Sequence, residues 1–271
     1  MATRDRSSEL EGELEALLDI ERFEPPAEFR EAALWKDPAV YEEAAADPQA
    51  WWLRHARELL DWTEEPSESL DESDPPFYKW FADGRLNASA NCLDRHVDAG
   101  LGDRVAYHWR GEQGEERRIT YAQLLADVQR FANAMRDRGI SKGDVVGIYL
   151  PMIPEVVVAM LACARIGAPH NVVFGGFSAE AVRERMEFSE AKALITVDGA
   201  RRKGETAPVK ARVDEVIGEV GSIETIFVVR HTGADCEMKD GRDVWVDEAM
   251  EAAAKECPAA PMEAEHPLYI L

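Results

Sequence analysis

The spacing of apolar residues changes along the chain near residue 103. Up to about residue 62, apolar positions recur at helical intervals, as in Leu10, Leu14 and Leu17, and this predicts a series of short helices. Beyond residue 103, short apolar runs alternate with longer amphipathic stretches. This alternation predicts an α/β fold in which a parallel sheet is covered by helices on both faces.

The boundaries of the predicted elements follow from the same pattern. Strands are predicted over residues 104–109, 117–119, 145–150, 171–174, 193–197 and 225–229. Helices are predicted over residues 120–138, 153–166, 178–189 and 208–220. Thr120 and Gln123 have the spacing of a capping box, and Gly139 and Gly167 stand where the first two helices end. Residues 266–271 resemble the start of one more buried strand, and from this apolar end we expect a truncated chain.

The N-terminal part is rich in tryptophan. Five of the seven tryptophans precede residue 81 and are predicted to form the face by which a helical extension docks on the main domain: Trp35, Trp51, Trp52, Trp62 and Trp80. Residues 63–76 are acidic and rich in Ser and Pro, so they are predicted to be a surface loop or linker.

The charge of the chain narrows the range of partners. The formal net charge is -22, which argues against nucleic acid or an anionic membrane surface as the main partner, while an anionic small molecule would need a local basic site. The longest apolar stretch, residues 145–174, is interrupted by prolines and charges and does not predict a membrane span. The 23 Arg against 8 Lys, with abundant acids, are typical of proteins from a very salty cytoplasm; an ordinary acidic enzyme is the alternative.

Familiar catalytic motifs are missing from the sequence. The four cysteines lie far apart without a C-x-x-C pair, so we expect neither a disulfide framework nor a zinc site, and a reducing cytoplasm fits. No G-x-G-x-x-G follows the predicted strand at 145–150, and the chain contains no G-x-x-x-x-G-K-[ST], no H-E-x-x-H and no G-x-S-x-G. Motifs alone therefore identify no catalytic residue in this chain.

A glycine pair marks the first candidate binding segment. Phe174, Gly175 and Gly176 follow a predicted strand, and Ser178 then begins a helix. The N-termini of helices that follow parallel strands are favoured sites for anions. The alternative is a tight connection that needs glycine only for its backbone dihedral angles.

Three consecutive cations mark the second candidate segment. Arg201, Arg202 and Lys203, followed by Gly204, come just after the predicted strand at 193–197. Guanidinium groups suit bidentate phosphate binding, and ligands bind beyond the carboxyl ends of parallel strands. A solvated basic turn is the alternative.

Long segments of the sequence resemble the AMP-forming acetyl-CoA synthetases of the adenylate-forming superfamily. They are residues 81–96 (FADGRLNASANCLDRH), residues 162–178 (ACARIGAPHNVVFGGFS) and the closing PLYIL, with shorter matches at residues 39–41, 51 and 58–62. The resemblance covers nearly the whole chain after about residue 20.

The resemblance implies both a fold and a reaction. It implies a helical N-terminal extension over residues 1–100, packed on the first part of the large AMP-binding domain over residues 101–271, with the chain truncated before the phosphate loop. It also implies a ligase that forms acetyl-AMP from acetate and ATP with Mg²⁺ and then transfers the acetyl group to CoA. The resemblance separates acetate from propionate poorly, and a free-standing binding or assembly domain without catalysis is the other hypothesis.

The resemblance also assigns the two candidate segments to CoA. Phe174, Gly175 and Gly176 match the family's glycine turn, and Arg201 to Gly204 match the basic segment that holds the 3′-phosphate of CoA. Where many relatives carry a further basic residue, this chain has Glu205. The resemblance implies that the groups that bind ATP, Mg²⁺ and the acyl chain lie beyond Leu271, so no catalytic or metal-binding residue is assigned here.

Overall fold

The computed structural model describes residues 24–271, which divide into two compact units with the boundary after Trp51. The first unit contains the helices α1 (Ala27–Ala32) and α2 (Ala39–Ala46), and α3 (Pro48–Leu59) includes the boundary. The side chain of Asp37 accepts a hydrogen bond from the backbone N–H of Ala39, at 2.9 Å, beside the start of α2. The helix predicted after Ser8 lies outside the described residues.

The second unit begins with short antiparallel strands and helices. In chain order these are β1 (Trp62–Glu64), β2 (Leu70–Asp71), β3 (Lys79–Trp80), β4 (Arg85–Leu86), α4 (Ala88–Cys92), α5 (Asp94–His96) and a π-helical turn at Val97–Leu101. β1 pairs with β4, and β2 pairs with β3. The prediction of a loop or linker at residues 63–76 was therefore wrong in part, because backbone pairing orders segments whose polar composition is that of a loop. Trp62 lies in a strand, not in the predicted helix.

Three of the tryptophans of the second unit pack against aromatic rings. Trp52 meets Trp80 edge-to-face with ring centroids 6.3 Å apart, and Trp62 meets Phe81 at 5.8 Å. The indole N–H of Trp62 donates to the carbonyl of Ala56 at 2.8 Å. This cluster ties α3 to β1 and β3 within the second unit. Two expectations stay predictions. One is that the tryptophans dock a helical extension on the main domain, and the other is a domain boundary near residue 100.

A hairpin and a long helix come next. The hairpin consists of β5 (Val105–Arg110) and β6 (Glu116–Thr120), and α6 (Tyr121–Asp137) follows at once. The predicted capping box is confirmed: the Thr120 hydroxyl accepts from the N–H of Gln123 at 3.3 Å, and the Gln123 side chain accepts from the N–H of Thr120 at 3.0 Å. The prediction from residue spacing therefore holds at atomic detail.

The rest of the chain alternates strands and helices. In chain order the elements are β7 (Val146–Ile148), α7 (Pro154–Ile166), β8 (His170–Val172), α8 (Ala179–Phe188), β9 (Ala193–Val197), β10 (Ala200–Arg202), β11 (Glu205–Ala207), α9 (Val209–Ile217), β12 (Thr225–Val229), β13 (Asp243–Trp245), α10 (Val246–Ala252), β14 (Met262–Glu263) and β15 (Tyr269–Ile270). Every strand predicted from residue 104 to residue 229 is confirmed to within two residues. The β10–β11 hairpin, β13 and α10 were not predicted.

Six of these strands form a parallel sheet within the described part of the chain. The strand order is β13-β12-β9-β7-β8-β15, and all neighbouring pairs are parallel. Every residue of β9 and of β12 is buried, so both faces of the sheet are covered at its centre, as predicted. Phe131 of α6 meets Phe227 of β12 edge-to-face at 5.4 Å in this core. The sheet is therefore a rigid base for the loops at its carboxyl edge.

Candidate functional site

Three segments beyond the carboxyl ends of neighbouring strands line a cleft. The cleft has a volume of about 250 Å³ and lies between the turn after β7, the turn after β8 and strand β10. Five of the seven residues predicted to bind CoA line it: Phe174, Gly175, Gly176, Arg201 and Arg202. Lys203 and Gly204 form the tip of the β10–β11 hairpin and do not line it. Two segments that are 25 residues or more apart in sequence thus meet in one cleft.

Gly175 is required for a close approach between backbones. A Cβ atom at this position would lie 2.9 Å from the carbonyl oxygen of Leu150 and 3.2 Å from Cα of Pro151, so the turn after β8 would have to move away from the turn after β7. At Gly176 the three atoms nearest to a Cβ atom would all belong to the ring of Phe174, which is 64% exposed. Neither glycine has a positive φ. Unusual dihedral angles, the alternative left open by the sequence, are therefore not the reason for the glycine pair.

The turn after β8 is anchored from the sheet. The hydroxyl of Tyr149 donates to the carbonyl of Phe177 at 2.8 Å, and burial raises the pKa of Tyr149. The ring of Phe177 packs against the ring of Phe174 at 6.0 Å and under the guanidinium of Arg185 at 4.8 Å. Ser178 caps α8 by accepting from the N–H of Ala181 at 3.3 Å, as its position predicted. These contacts hold the turn after β8, and Phe174 of this turn lines the cleft.

The basic segment is a β-hairpin rather than an irregular turn. Arg202 and Glu205 are the last paired residues, and the two residues between them, Lys203 and Gly204, have φ values of 53° and 81°. A two-residue hairpin loop with both φ values positive is a type I′ turn, which explains the glycine at position 204. Glu205 lies opposite Arg202 across the hairpin. The backbone thus sets Arg202 next to an acidic residue.

Arg201 has acidic partners on a different hairpin. Its Nη1 donates to Glu115 Oε1 at 2.6 Å and to Gln113 Oε1, and both acceptors lie in the loop between β5 and β6. The backbone N–H of Gly204 donates to Glu112 Oε1 at 3.2 Å. Arg201, Glu115 and Glu112 line a second cleft of about 170 Å³. This cleft shares Pro151, Met152 and Arg201 with the first. Arg201 therefore lies between the two clefts.

Asp198 organises the base of the basic hairpin. Its carboxylate is 2% exposed and accepts backbone N–H hydrogen bonds from Gly199 at 2.6 Å, His231 at 3.0 Å, Thr232 at 3.1 Å and Gly233 at 2.7 Å. It thereby joins the end of β9 to the loop after β12. The sequence analysis did not assign this role to Asp198; its position directly after a buried strand and before a glycine is the one available signal.

Comparison with known proteins identifies the family. Residues 93–271 match the family described as AMP-binding enzymes. The chain belongs to this AMP-binding enzyme family. Residues 38–92 also match the family described as the acetyl-coenzyme A synthetase N-terminus. The parallel sheet and both clefts lie within the match to AMP-binding enzymes, residues 93–271. Strands β1 to β4 lie within the match to the acetyl-coenzyme A synthetase N-terminus, residues 38–92.

Individual relatives are similar along almost the whole chain. The acetyl-coenzyme A synthetase of Streptomyces avermitilis is 50% identical over 94% of this chain and 39% of its own length. The enzyme of Rubrobacter xylanophilus is 50% identical over 93% of this chain and 39% of its own length. The enzyme of Burkholderia thailandensis is 48% identical over 95% of this chain and 40% of its own length. The chain therefore spans about two fifths of the length of these AMP-binding relatives. Among the helices of residues 24–271, none combines the length and the apolar character needed to cross a membrane.

Proposed function

We propose that this chain is the N-terminal portion of an AMP-forming acetate:CoA ligase. The proposal is supported by the match of residues 93–271 to AMP-binding enzymes and by the relatives at about 50% identity that are named acetyl-coenzyme A synthetases. In the reaction, an acetate oxygen attacks the α-phosphorus of ATP and pyrophosphate leaves. The sulfur of CoA then attacks the acetyl carbonyl carbon, the thiol proton is released, and AMP leaves.

The part of this chain in the reaction is to bind CoA. The observation that supports this role is the cleft that brings Phe174 to Gly176 together with Arg201 and Arg202. The turn at Gly175 and Gly176 lines one side of the cleft, and the guanidinium groups of Arg201 and Arg202 supply the charge-assisted hydrogen bonds that suit the 3′-phosphate of CoA. Lys203, at the exposed tip of the hairpin, adds positive charge at the same end. Binding at a fixed place lowers the entropic cost of bringing the thiol to the acetyl-AMP.

ATP and Mg²⁺ are the remaining participants of the proposed reaction. Mg²⁺ would neutralise charge on the phosphates as pyrophosphate leaves. No residue of this chain is assigned to ATP, to Mg²⁺ or to acetate, and none is assigned a catalytic step. The contribution of the described residues is positioning of CoA.

A cytoplasm of high salt concentration is the proposed setting. The net charge of -22 and the 23 Arg against 8 Lys support it, because screening at molar salt shortens the Debye length to about 3 Å and removes most repulsion between exposed acids.

Charge reversal at Arg202 tests the CoA site in the full-length ligase that carries this chain. Arg202→Glu should remove a charge-assisted contact of about 1.5 to 3 kcal/mol, which is about tenfold to more than a hundredfold in apparent CoA affinity. The apparent affinity for dephospho-CoA, which lacks the 3′-phosphate, should be nearly unchanged in this variant. Exchange of pyrophosphate into ATP in the presence of acetate should also be unchanged, because CoA enters afterwards.

A control separates the site from a general effect of charge. Arg118→Glu makes the same change on β6, and Arg118 lines neither cleft. The apparent affinities for CoA and for dephospho-CoA should both be unchanged in Arg118→Glu. Equal losses for CoA and dephospho-CoA in Arg202→Glu would refute the phosphate assignment, and a loss of pyrophosphate exchange would indicate a structural role instead.

A further inference from the structure

The loop between β5 and β6 holds one cation of the basic hairpin and not the other two. Residues 111–115 form this loop, and it contacts the hairpin through Gln113, Glu115 and Glu112. Within residues 24–271, no ion pair joins Arg202 or Lys203 to a carboxylate, whereas Arg201 is bound by Glu115 at 2.6 Å. Among the described residues, Arg201 thus has a carboxylate partner, whereas Arg202 and Lys203 have none.

The contact to Glu115 uses only one end of the Arg201 guanidinium. Both acceptors, Glu115 and Gln113, are bound by Nη1. In the described part of the chain, Nη2 and Nε of Arg201 make no hydrogen bond. A guanidinium carries five N–H donors in a rigid plane, so fixing Nη1 also fixes the direction of the remaining donors. The edge formed by Nη2 and Nε is therefore available to an anion in a set orientation.

Glu115 contacts Arg201 at the second cleft. It lines the second cleft but not the first, while Arg201 lines both. Glu115 is itself fixed, because its Oε2 accepts the N–H of Gln113 at 3.0 Å and its backbone carbonyl accepts the N–H of Gly111 at 2.8 Å. Hydrogen bonds from its own backbone N–H and from that of Gln113, with the nearby charge of Arg201, hold the pKa of Glu115 below its usual range. An ionised carboxylate that also accepts a backbone hydrogen bond from Gln113 thus binds Arg201 at the second cleft.

We propose that Glu115 is a positioning residue for CoA, which holds Arg201 so that its free edge faces the 3′-phosphate in the first cleft. This inference rests on the proposed function. Glu115 acts through Arg201 and does not itself touch the ligand. In the alternative, the Glu115 carboxylate competes with phosphate for Arg201. Removal of Glu115 would then strengthen CoA binding, whereas loss of positioning would weaken it. The direction of the change in CoA affinity therefore separates positioning from competition.

The test compares three variants of the full-length ligase in steady-state kinetics with CoA and with dephospho-CoA. Glu115→Ala should raise KM for CoA about tenfold, the value of one charge-assisted hydrogen bond, with KM for dephospho-CoA and the pyrophosphate exchange rate unchanged. Glu115→Gln keeps an oxygen acceptor for Nη1 and should stay within about threefold of the unmodified ligase. Glu116→Ala is the matched control, because Glu116 is the next residue but pairs with Arg110 at 3.0 Å; it should change nothing.

Each other outcome overturns the inference. Tighter CoA binding in Glu115→Gln or Glu115→Ala would establish competition instead of positioning, and Glu115→Gln decides this even if Glu115→Ala does not fold. An unchanged KM in Glu115→Ala, or equal losses for the two thiols, would refute positioning. If the unmodified ligase itself does not distinguish CoA from dephospho-CoA, the proposed phosphate site fails, and this result is independent of the variants at Glu115.

Discussion

Arg165 and Asp94 form a bidentate ion pair between α7 and α5. Nη1 and Nη2 of Arg165 each lie 2.8 Å from one carboxylate oxygen of Asp94, and Arg165 is only 2% exposed. Nε of the same guanidinium donates to the carbonyl of Cys257. One buried cation therefore connects three segments that are far apart in sequence.

Removal of Asp94 should destabilise the fold, because it leaves a buried charge without its partner. For Asp94→Ala we expect the free energy of unfolding to fall by roughly 3 kcal/mol, measured by urea denaturation. Asp61→Ala is the control: Asp61 pairs with Arg95 at 3.6 Å, its side chain is 61% exposed, and we expect a change of about 0 to 1 kcal/mol. Equal effects of the two substitutions would contradict the importance of burial.

Gly175→Ala should disturb the cleft far more than Gly176→Ala. The new Cβ at Gly175 meets backbone atoms of Leu150 and Pro151, which cannot rotate away, and we expect a loss of about 1 to 3 kcal/mol in stability together with weaker CoA binding. At Gly176 the exposed ring of Phe174 can move aside. Thermal melts and CoA titrations of both variants measure the difference, and the reverse order of effects would show that the backbone contact is unimportant.

The ion pair between Lys142 and Glu263 should make stability depend on pH in the acid range. The hydrogen bond from Lys142, at 2.6 Å, is the largest cause that lowers the pKa of Glu263 from 4.5 to about 2. Because the pKa is depressed in the fold, the stabilisation is present above pH 4.5 and is lost as the pH falls towards about 2. Lys142→Ala should therefore be less stable at pH 6 and approach the unmodified chain near pH 2, as measured by urea midpoints. A difference that is independent of pH would exclude this linkage.

The structure explains which parts of the fold and site were predictable. Apart from β10 and β11, the strands and helices from residue 104 to residue 229 were predicted, because hydrophobic periodicity is a local property of the sequence. The two segments predicted to bind CoA were expected at the carboxyl edge of a parallel sheet, and the structure brings them into one cleft. The ion pair of Arg165 was not foreseen; from sequence it was only a charge that interrupts an apolar run.

The missed features depend on contacts between distant residues. Strands β10 and β11 have three residues each, too few to show an alternating pattern, and their turn is Lys203-Gly204 instead of the more familiar Asn-Gly. The bond between Glu115 and Arg201 joins residues 86 positions apart. Only the folded chain places the β5–β6 loop beside the basic hairpin.

Salt should stabilise the fold. With a net charge of -22, repulsion between exposed acids opposes the compact state in dilute buffer, and multimolar KCl screens it. We expect a higher Tm in KCl than in dilute buffer, measured by thermal melts. An equal or lower Tm in KCl would rule out adaptation to high salt.

The 271-residue chain alone should form no acetyl-AMP. No residue in it is assigned to ATP, and its relatives are about two and a half times as long, from the 39% coverage. Isotope exchange between pyrophosphate and ATP in the presence of acetate is the assay, with the full-length ligase as the positive control. Exchange by the purified chain would mean that an adenylation site lies within it.

The left-handed turn at Lys203 has a consequence for engineering. At a φ of 53°, lysine has a higher backbone energy than asparagine, which tolerates the left-handed conformation. Lys203→Asn should therefore keep or increase the stability of the hairpin while removing one positive charge. Shape and charge at this tip can therefore be changed separately. A designer could adjust the attraction for anions there without redesigning the scaffold beneath it.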